Sequence, residues 1–192
     1  MGAIFQGGLD KIPLFSYDFI MADPNWSFDN WSAKGEVKNA KRHYRCDSVG
    51  VISQYRVSDI AAPDCLLWLW ATNPMLPQAL MVMERWGFRF KTAGYWVKWN
   101  AATNKVAFGP GYILRGAGEP FLIGTIGSPK TTRSVRSVVM GLRREHSRKP
   151  EEGYQAAEAL MPNARRIELF SRCPRDGWDT WGDEATKFEG AA

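Results

Sequence analysis

Short apolar runs alternate with segments of helical periodicity along most of this chain, and this alternation constrains the fold more than any other sequence feature. It predicts a layered α/β domain, in which helices cover the faces of a sheet. At 192 residues, the chain has the length of one domain with a substantial core. The predicted strands are residues 17–22, 65–71, 88–98, 119–126 and 165–170.

Two segments carry the periodicity and the end signals of helices. Residues 74–87 place apolar side chains at helical spacing and stop at Gly87, with Pro77 expected in the first turn. Residues 147–163 begin with a serine that can cap a helix, followed by Pro150 and two glutamates that favour a first turn. Both segments are therefore predicted to be helices that connect strands.

The cysteines and the apolar runs indicate the compartment. Cys46, Cys65 and Cys173 are odd in number and far apart, with the spacing of neither a zinc site nor a disulfide framework. The longest apolar run, residues 65–71, is too short to span a bilayer, and no signal-like segment opens the sequence. We therefore expect a soluble cytoplasmic protein that holds no metal and contacts no membrane.

Several common catalytic motifs are missing from the sequence. It contains no P-loop, no GxSxG elbow and no HExxH pair, which disfavours hydrolysis by a metal or a serine nucleophile. The glycine-rich residues 109–120 precede a strand rather than join a strand to a helix, so they do not predict a dinucleotide site.

The first predicted strand ends in Asp23, Pro24, Asn25 and Trp26, which allow two interpretations. Turn formation alone explains Asp-Pro after a strand, with Trp26 packed on the sheet. Alternatively, the Asp23 carboxylate and the backbone carbonyl after it offer two acceptors beside a flat aromatic wall, which suits a planar base with an exocyclic amine. Such an amine is a poor nucleophile because its lone pair is delocalised into the ring. It therefore needs a strong electrophile, such as a sulfonium methyl group.

Positive charge is concentrated in two segments, residues 27–45 and 128–149, and the chain has a net charge of +5. A solvated basic face explains such segments, but basic residues interleaved with aromatics are also typical of proteins that bind a phosphate backbone and exposed bases. The candidate nucleic-acid contacts are Lys34, Lys38, Lys41, Arg42, Arg45, Lys130, Arg133, Arg136, Arg143 and Arg144.

Four groups of segments follow one another in a specific order: "DPNW"; "CLLWLWAT" with "WGFRFKTAGYWVKWN"; "GEPFLIGTIG"; and "HSRKPEEGY" with "PNARRIELFSR" and "GWDTWGDE". Together they resemble the MT-A (70 kDa subunit) family of S-adenosylmethionine-dependent adenine-N6 methyltransferases, whose members act on messenger RNA and on bacterial and phage DNA. The first group is similar to the family's Asp-Pro-Pro-Trp signature. The resemblance covers residues 17–184, and the compact chain is most similar to bacterial and phage members of the DNA type.

The resemblance implies one Rossmann-like methyltransferase domain over residues 1–192, with a core at 17–184 and a tail at 185–192. Its motif order would be permuted as in the β class, with the amine-binding motif early and the cofactor-binding strand late. S-adenosylmethionine would lie beyond the carboxyl end of the late strand, where open α/β sheets place ligands. The basic residues 27–45 and 128–149 would then be loops around the active site and the nucleic acid.

The resemblance also implies roles for individual residues. The catalytic motif that holds the target amine would be Asp23, Pro24, Asn25 and Trp26. The cofactor-binding residues would be Asp23, Lys149, Glu168, Phe170, Arg172, Asp183 and Glu184. Two positions depart from the family pattern, because Asn25 replaces a second proline and Asp183 replaces an amide. No family residue is assigned to residues 173–177, where the chain is shorter than the messenger-RNA enzymes.

The expected function is methylation of the N6 amine of adenine in nucleic acid, with DNA favoured and RNA as an alternative. A catalytically inactive nucleic-acid-binding scaffold is a second alternative, which the departures at Asn25 and Asp183 make plausible. A DNA cytosine-N4 methyltransferase is a third, because the same amine-holding logic applies to cytosine. The small region available for target recognition leaves room for a homodimer or a partner subunit.

Overall fold

The computed structural model describes residues 2–26, 48–111, 113–142, 148–182 and 185. Within these ranges nine strands form one sheet. The strands are β1 (Ile4–Phe5), β2 (Tyr17–Ala22), β3 (Ala61–Trp70), β4 (Arg89–Asn100), β5 (Lys105–Val106), β6 (Gly118–Ile126), β7 (Val138–Leu142), β8 (Arg166–Leu169) and β9 (Trp178–Trp181). This is the mixed α/β architecture that the alternation of apolar runs predicts.

The helices are few and short. They are α1 (Val49–Ile52), α2 (Val57–Ile60), α3 (Leu76–Arg85) and α4 (Glu151–Leu160), with 3-10 turns at Leu9–Lys11 and Asn73–Met75. Pro77 lies in the first turn of α3, as predicted. Pro150 precedes the first residue of α4, whereas the predicted serine cap at position 147 lies outside the described residues. In the described part of the chain, every helix is too short or too polar to cross a membrane.

The strand order is β1-β9-β8-β2-β3-β6-β4-β5, and β7 pairs with the free side of β4. All pairs are parallel except those made by β6 and by the short β5, which are antiparallel. The carboxyl ends of β2, β3, β4, β7, β8 and β9 therefore share one edge of the sheet with the amino end of β6. We call this the carboxyl edge and the opposite one the amino edge.

Alternation along the strands divides the core between the two faces of the sheet. On one face Ile20 and Ala22 of β2 pack with α3, in a cluster that includes Val82. On the other face Phe19 and Met21 pack with α4, in a second cluster. Each face is thus covered by helices, as expected for a layered domain.

The second core cluster contains most of the strand tryptophans. Trp68 stacks on Phe121 with ring centroids 4.0 Å apart, and Trp70 and Trp96 contact each other edge to face. Fully burying a large apolar side chain contributes about 1.5–3 kcal/mol each, so these rings account for much of the core stability. The tryptophans of this cluster therefore serve to pack the core.

Residues 138–142 correct the expectation that the whole of residues 128–149 forms a loop. They form β7, because Val139 and Gly141 are buried and alternate with exposed neighbours, a pattern suited to an edge strand. The strand pairs with β4 from Tyr95↔Val138 to Trp99↔Leu142. This pairing carries the chain back to the carboxyl edge, where Lys149 follows.

Candidate active site

Asp23 is the first residue after β2 and lies at the carboxyl edge between two neighbouring strands. Its backbone N–H donates to the carbonyl of Leu169 at the end of β8, at 3.3 Å. The residue is only 9% exposed. A carboxylate buried to this extent needs charged or hydrogen-bonding partners, because desolvation otherwise disfavours its ionised form.

Those partners form a row that we call the buried charge chain: Asp23, Lys149, Glu119 and Lys98. Lys149 Nζ lies 2.9 Å from Asp23 Oδ1 and 2.9 Å from Glu119 Oε2. Lys98 Nζ lies 2.6 Å from Glu119 Oε1. The four residues come from four segments that meet at the carboxyl edge, namely the ends of β2 and β4, the start of β6 and the approach to α4.

The charges of the chain support one another. Burial raises the pKa of the Glu119 carboxyl, but the ammonium groups of Lys149 and Lys98 outweigh burial and bring it down to about 2. Burial lowers the pKa of Lys149, but the carboxylates of Asp23 and Glu119 raise it above its ordinary value. At neutral pH Glu119 is therefore an anion and Lys149 a cation, so Lys149 cannot serve as a base.

Arg172 adds a second cation beside Asp23. Its Nη2 donates to Asn25 Oδ1, and its Nη1 lies 3.9 Å from Asp23 Oδ2. The Arg172 side chain is only 9% exposed. The asparagine that replaces a proline is thus held by a side-chain hydrogen bond, which restrains a turn that has lost the rigidity of the proline ring.

Trp26 is buried in this structure, with 4% exposure, in the core cluster on the α3 face. Its indole Nε1 donates to the carbonyl of Trp70 at 2.9 Å, and its backbone N–H donates to the carbonyl of Pro24 at 2.8 Å. The Pro24 carbonyl keeps a second lone pair. Stacking of a base on Trp26 stays a prediction, since the ring has little exposed face here.

Glu168 lies near the carboxyl end of β8, on the face covered by α4. Its Oε1 accepts from the Tyr154 hydroxyl at 2.6 Å and its Oε2 from the Ser171 hydroxyl at 2.8 Å. Burial raises the pKa of the Glu168 carboxyl, although both hydrogen bonds act in the opposite direction. Both oxygens contact protein donors, and the predicted role in cofactor binding stays a prediction.

Phe170 follows β8 in the left-handed backbone region, at φ 61°. Its ring packs parallel to Trp86 and edge to face with Tyr55 and Trp181. Such aromatic pairs contribute about 0.5–1.5 kcal/mol each beyond area burial, which offsets a backbone cost of roughly 1–2 kcal/mol. The turn that carries Arg172 towards Asp23 is thereby held in place.

The structure does not bring Lys130, Arg133 and Arg136 to the site. They are exposed on the connection between β6 and β7. Because β6 runs antiparallel to β3 and β7 runs parallel to β4, this connection lies at the amino edge, opposite Asp23. Residues 128–137 therefore lie away from Asp23, because of a strand direction that is not visible in the sequence, and their role as nucleic-acid contacts stays a prediction.

Other predicted contacts lie outside the described residues. These are Lys34, Lys38, Lys41, Arg42, Arg45, Arg143, Arg144, Asp183 and Glu184.

Glu119 and Lys98 belong to the site, yet no sequence motif assigned them a role. A signal was present, because Glu119 is an acid at the start of an otherwise apolar strand and Lys98 follows three large apolar residues at the end of a predicted strand. Charged residues that close apolar strands are candidates for the functional edge of an α/β sheet. Their pairing, however, depends on β4 and β6 being neighbours.

The mixed sheet, with an acidic turn and buried cations at its carboxyl edge, is that of a methyltransferase-like α/β domain. The family model for MT-A70 matches residues 17–184, and the chain belongs to that family of adenine-N6 methyltransferases. The resemblance noted in the sequence is thus confirmed. The family is S-adenosylmethionine-dependent.

Similar proteins come from bacteria, fungi and animals. The chain is 30% identical to the type II methyltransferase M.MunI of Mycoplasma sp, over 91% of this chain and 80% of that protein. It is 30% identical to the N6-methyladenosine RNA methyltransferase MTA1 of Cryphonectria parasitica, over 90% of this chain and 53% of that protein. It is 26% identical to the N(6)-adenine-specific methyltransferase METTL4 of Homo sapiens, over 92% of this chain and 40% of that protein. The chain thus spans most of the mycoplasma relative but about half or less of the fungal and human ones.

Proposed function

We propose that this protein transfers the methyl group of S-adenosylmethionine to the N6 amine of adenine in DNA. The observation that carries the proposal is the position of Asp23, whose carboxylate stands at the carboxyl edge between Lys149 and Arg172. The Pro24 and Asn25 carbonyls follow it directly in the chain. A carboxylate and neighbouring carbonyls are the acceptors that an exocyclic amine requires.

These groups would act on the amine by holding its two N–H bonds. An amine held in this way can pyramidalise, so that its lone pair leaves conjugation with the ring and becomes nucleophilic. When bound, S-adenosylmethionine supplies a methyl group activated by a sulfonium. The protein's contribution is then positioning and electrostatics, which a preorganised set of buried charges provides.

The donor set at the carboxyl edge fits this cofactor. The amino-acid part of S-adenosylmethionine carries a carboxylate, which a cation can bind. Lys149 and Arg172 place two buried cations beside Asp23. Of the three N–H donors of Lys149, two are used in the charge chain among the described residues. Glu168 and Phe170 at the end of β8 would complete the cofactor side, together with Asp183 and Glu184.

We also infer a permuted Rossmann-like motif order. The neighbouring positions of β2 and β8 support it, because the early amine-binding strand and the late cofactor strand are hydrogen-bonded partners. A cofactor beyond β8 would thus adjoin Asp23 after β2, as in open α/β sheets with ligands outside the strand ends. A cytoplasmic location is supported by the buried free thiol of Cys65 and by the odd number and wide spacing of the cysteines.

DNA is the proposed substrate because the chain covers 80% of the bacterial relative and only about half or less of the eukaryotic ones. RNA is the second candidate, since MTA1 is named an RNA methyltransferase. In duplex DNA the target base would have to be flipped out, at a cost of a few kcal/mol. A homodimer or a partner subunit would extend the small surface available for holding the nucleic acid.

The test is incubation of the purified protein with radiolabelled S-adenosylmethionine and separate DNA and RNA pools, followed by mass spectrometry of the nucleosides. N6-methyldeoxyadenosine is the expected product. N6-methyladenosine in the RNA pool alone would show that RNA is the substrate. N4-methylcytosine would show that the target base is cytosine rather than adenine. If neither pool is labelled and calorimetry detects no binding of S-adenosylmethionine, a nucleic-acid-binding scaffold would be favoured instead.

A further inference from the structure

Lys98 is the outermost member of the buried charge chain and has an unusual setting for a lysine. Its Nζ lies 2.6 Å from Glu119 Oε1 and 4.9 Å from the centroid of the Trp96 ring. The side chain is 26% exposed, although lysine ammonium groups are strongly hydrated and normally remain in water. The protein therefore holds this cation in a partly desolvated position at the end of β4.

We propose that Lys98 is a positioning residue for methyl transfer, which acts on Asp23 through Glu119 and Lys149. The proposal rests on the function proposed above. Among the described residues the ammonium of Lys98 contacts Glu119 and Trp96 rather than Asp23, so its effect must pass along the chain of charges. Lys98 is a second cation for Glu119 and thereby determines how strongly Glu119 attracts Lys149.

The two contacts of Lys149 explain how the effect of Lys98 reaches Asp23. Its Nζ is shared between two anions at the same distance of 2.9 Å, Asp23 Oδ1 on one side and Glu119 Oε2 on the other. Glu119 is in turn shared between two cations. Without Lys98 the full charge of Glu119 acts on Lys149 alone, and the shared ammonium moves towards Glu119 and away from Asp23.

A loosened Lys149 leaves Asp23 with less restraint on one of its two oxygens. The carboxylate then rotates towards Arg172, whose Nη1 lies 3.9 Å from Asp23 Oδ2. An acceptor that must hold an amine in a reactive geometry tolerates little movement, and a displacement of about 1 Å can cost about 100-fold in rate. The loss should appear in kcat, because Lys98 acts on Asp23 through Glu119 and Lys149 and supplies no binding group of its own in this proposal.

The experiment is a double-mutant cycle with Lys98→Met, Glu119→Gln and the two combined in the full chain. We expect Lys98→Met to lower kcat about 10- to 100-fold in the wild-type background, with the KM for S-adenosylmethionine changed by about threefold or less. In the Glu119→Gln background, where no anion is left to neutralise, the same substitution should change kcat by about threefold or less. Lys98→Arg keeps the charge and should restore kcat to within about threefold of wild type.

Lys105→Met is the matched control, because Lys105 is an exposed lysine on β5 at the same edge of the sheet. It should leave kcat unchanged. An equal loss on removing Lys98 in both Glu119 backgrounds would overturn the proposal, since Lys98 would then act independently of Glu119. Unchanged turnover in Lys98→Met would overturn it too. If that variant does not fold, Lys98→Gln takes its place in the cycle.

A crystal structure of Lys98→Met separates this proposal from the proposed function. The expected result is a Lys149 Nζ to Asp23 Oδ1 separation clearly longer than the present 2.9 Å, with Glu119 and Lys149 still paired. An unchanged separation would contradict the transmission. If the wild type methylates neither DNA nor RNA, the proposed function fails, while this distance still decides whether Lys98 controls the position of Lys149.

Discussion

The two edges of the sheet both carry acidic side chains, but these acids have different partners. At the amino edge Asp18, Asp64 and Asp179 each accept from a backbone N–H of another segment, at 2.9, 2.7 and 2.7 Å, and Asp179 also lies 3.4 Å from the exposed guanidinium of Arg165. At the carboxyl edge Asp23 and Glu119 contact the side chains of lysines. An acid bound to a backbone amide fastens the chain, whereas an acid balanced between side-chain cations keeps acceptor capacity for a substrate. The same residue type is therefore structural at one edge and a candidate for chemistry at the other.

The largest effect should come from Asp23→Ala. The substitution removes the acceptor proposed to hold the target amine, and we expect methyl transfer to fall about 100- to 1000-fold or more. Lys149 still pairs with Glu119 in this variant, so the fold should persist. Turnover with labelled cofactor and circular dichroism check the two parts. Wild-type turnover in the variant would contradict the proposal that Asp23 holds the target amine.

The buried charge chain should stabilise the fold, and this contribution should be lost when Glu119 is protonated at low pH. The pKa of Glu119 is about 2 in the folded protein and 4.5 is its ordinary value, so its contribution is fully present above about pH 4.5 and is lost as the pH falls towards 2. The shift corresponds to about 3 kcal/mol. Denaturant unfolding between pH 7 and pH 2.5 should therefore show a smaller acid loss in Glu119→Gln than in wild type. Identical acid profiles would mean that Glu119 is not held by the two lysines.

Asp179→Ala repeats the alanine substitution at the amino edge. Asp179 accepts from the Tyr17 hydroxyl at 2.7 Å and from the backbone N–H of Ala3 at 2.7 Å. Leaving these donors without an acceptor should cost about 1–3 kcal/mol of unfolding free energy. Chemical denaturation measures that loss, and kcat at a temperature where the variant is folded should match wild type. A large fall in kcat would abolish the distinction between the two edges.

The smallest effect is expected from replacing Lys130, Arg133 and Arg136 together by alanine. These exposed residues lie at the amino edge, away from Asp23. The KM for nucleic acid should change by about threefold or less, and the salt dependence of binding should stay the same, because no phosphate contact is expected to be lost. A strong rise in KM with a weaker salt dependence would show that nucleic acid reaches across to the amino edge.

Much of this site could be predicted because its central residue follows a strand in the sequence. Asp23 ends an apolar run, so the sequence pattern predicts it at a strand end, whereas the place of Lys149 near the site was implied by the resemblance to the family. The structure brings them to 2.9 Å from each other. A local pattern is sufficient for Asp23 because it marks the end of a strand, and the ends of parallel strands meet at the carboxyl edge.

Features that depend on neighbours in space could not be predicted in the same way. The pairing of Lys98 with Glu119 requires β4 beside β6, and the position of Arg133 requires β6 to run antiparallel. The short strands β1, β5, β7 and β9 have 2 to 5 residues, too few for a period of two to stand out. The sequence "WDTW" of β9 does not alternate, because its two polar residues are adjacent, so it carries no strand signal of its own.

The reversed direction of β6 also determines where this protein can tolerate change. The connection that enters β6 lies at the carboxyl edge, where we propose that the substrate binds, and it displays Phe108, Ile113 and Leu114 to solvent. The connection that leaves β6 lies at the opposite, amino edge. Evolution or an engineer could therefore vary residues 107–117 to alter which target is accepted. At residues 128–136 we instead expect a fused module or an immobilisation tag to leave the proposed chemistry unchanged.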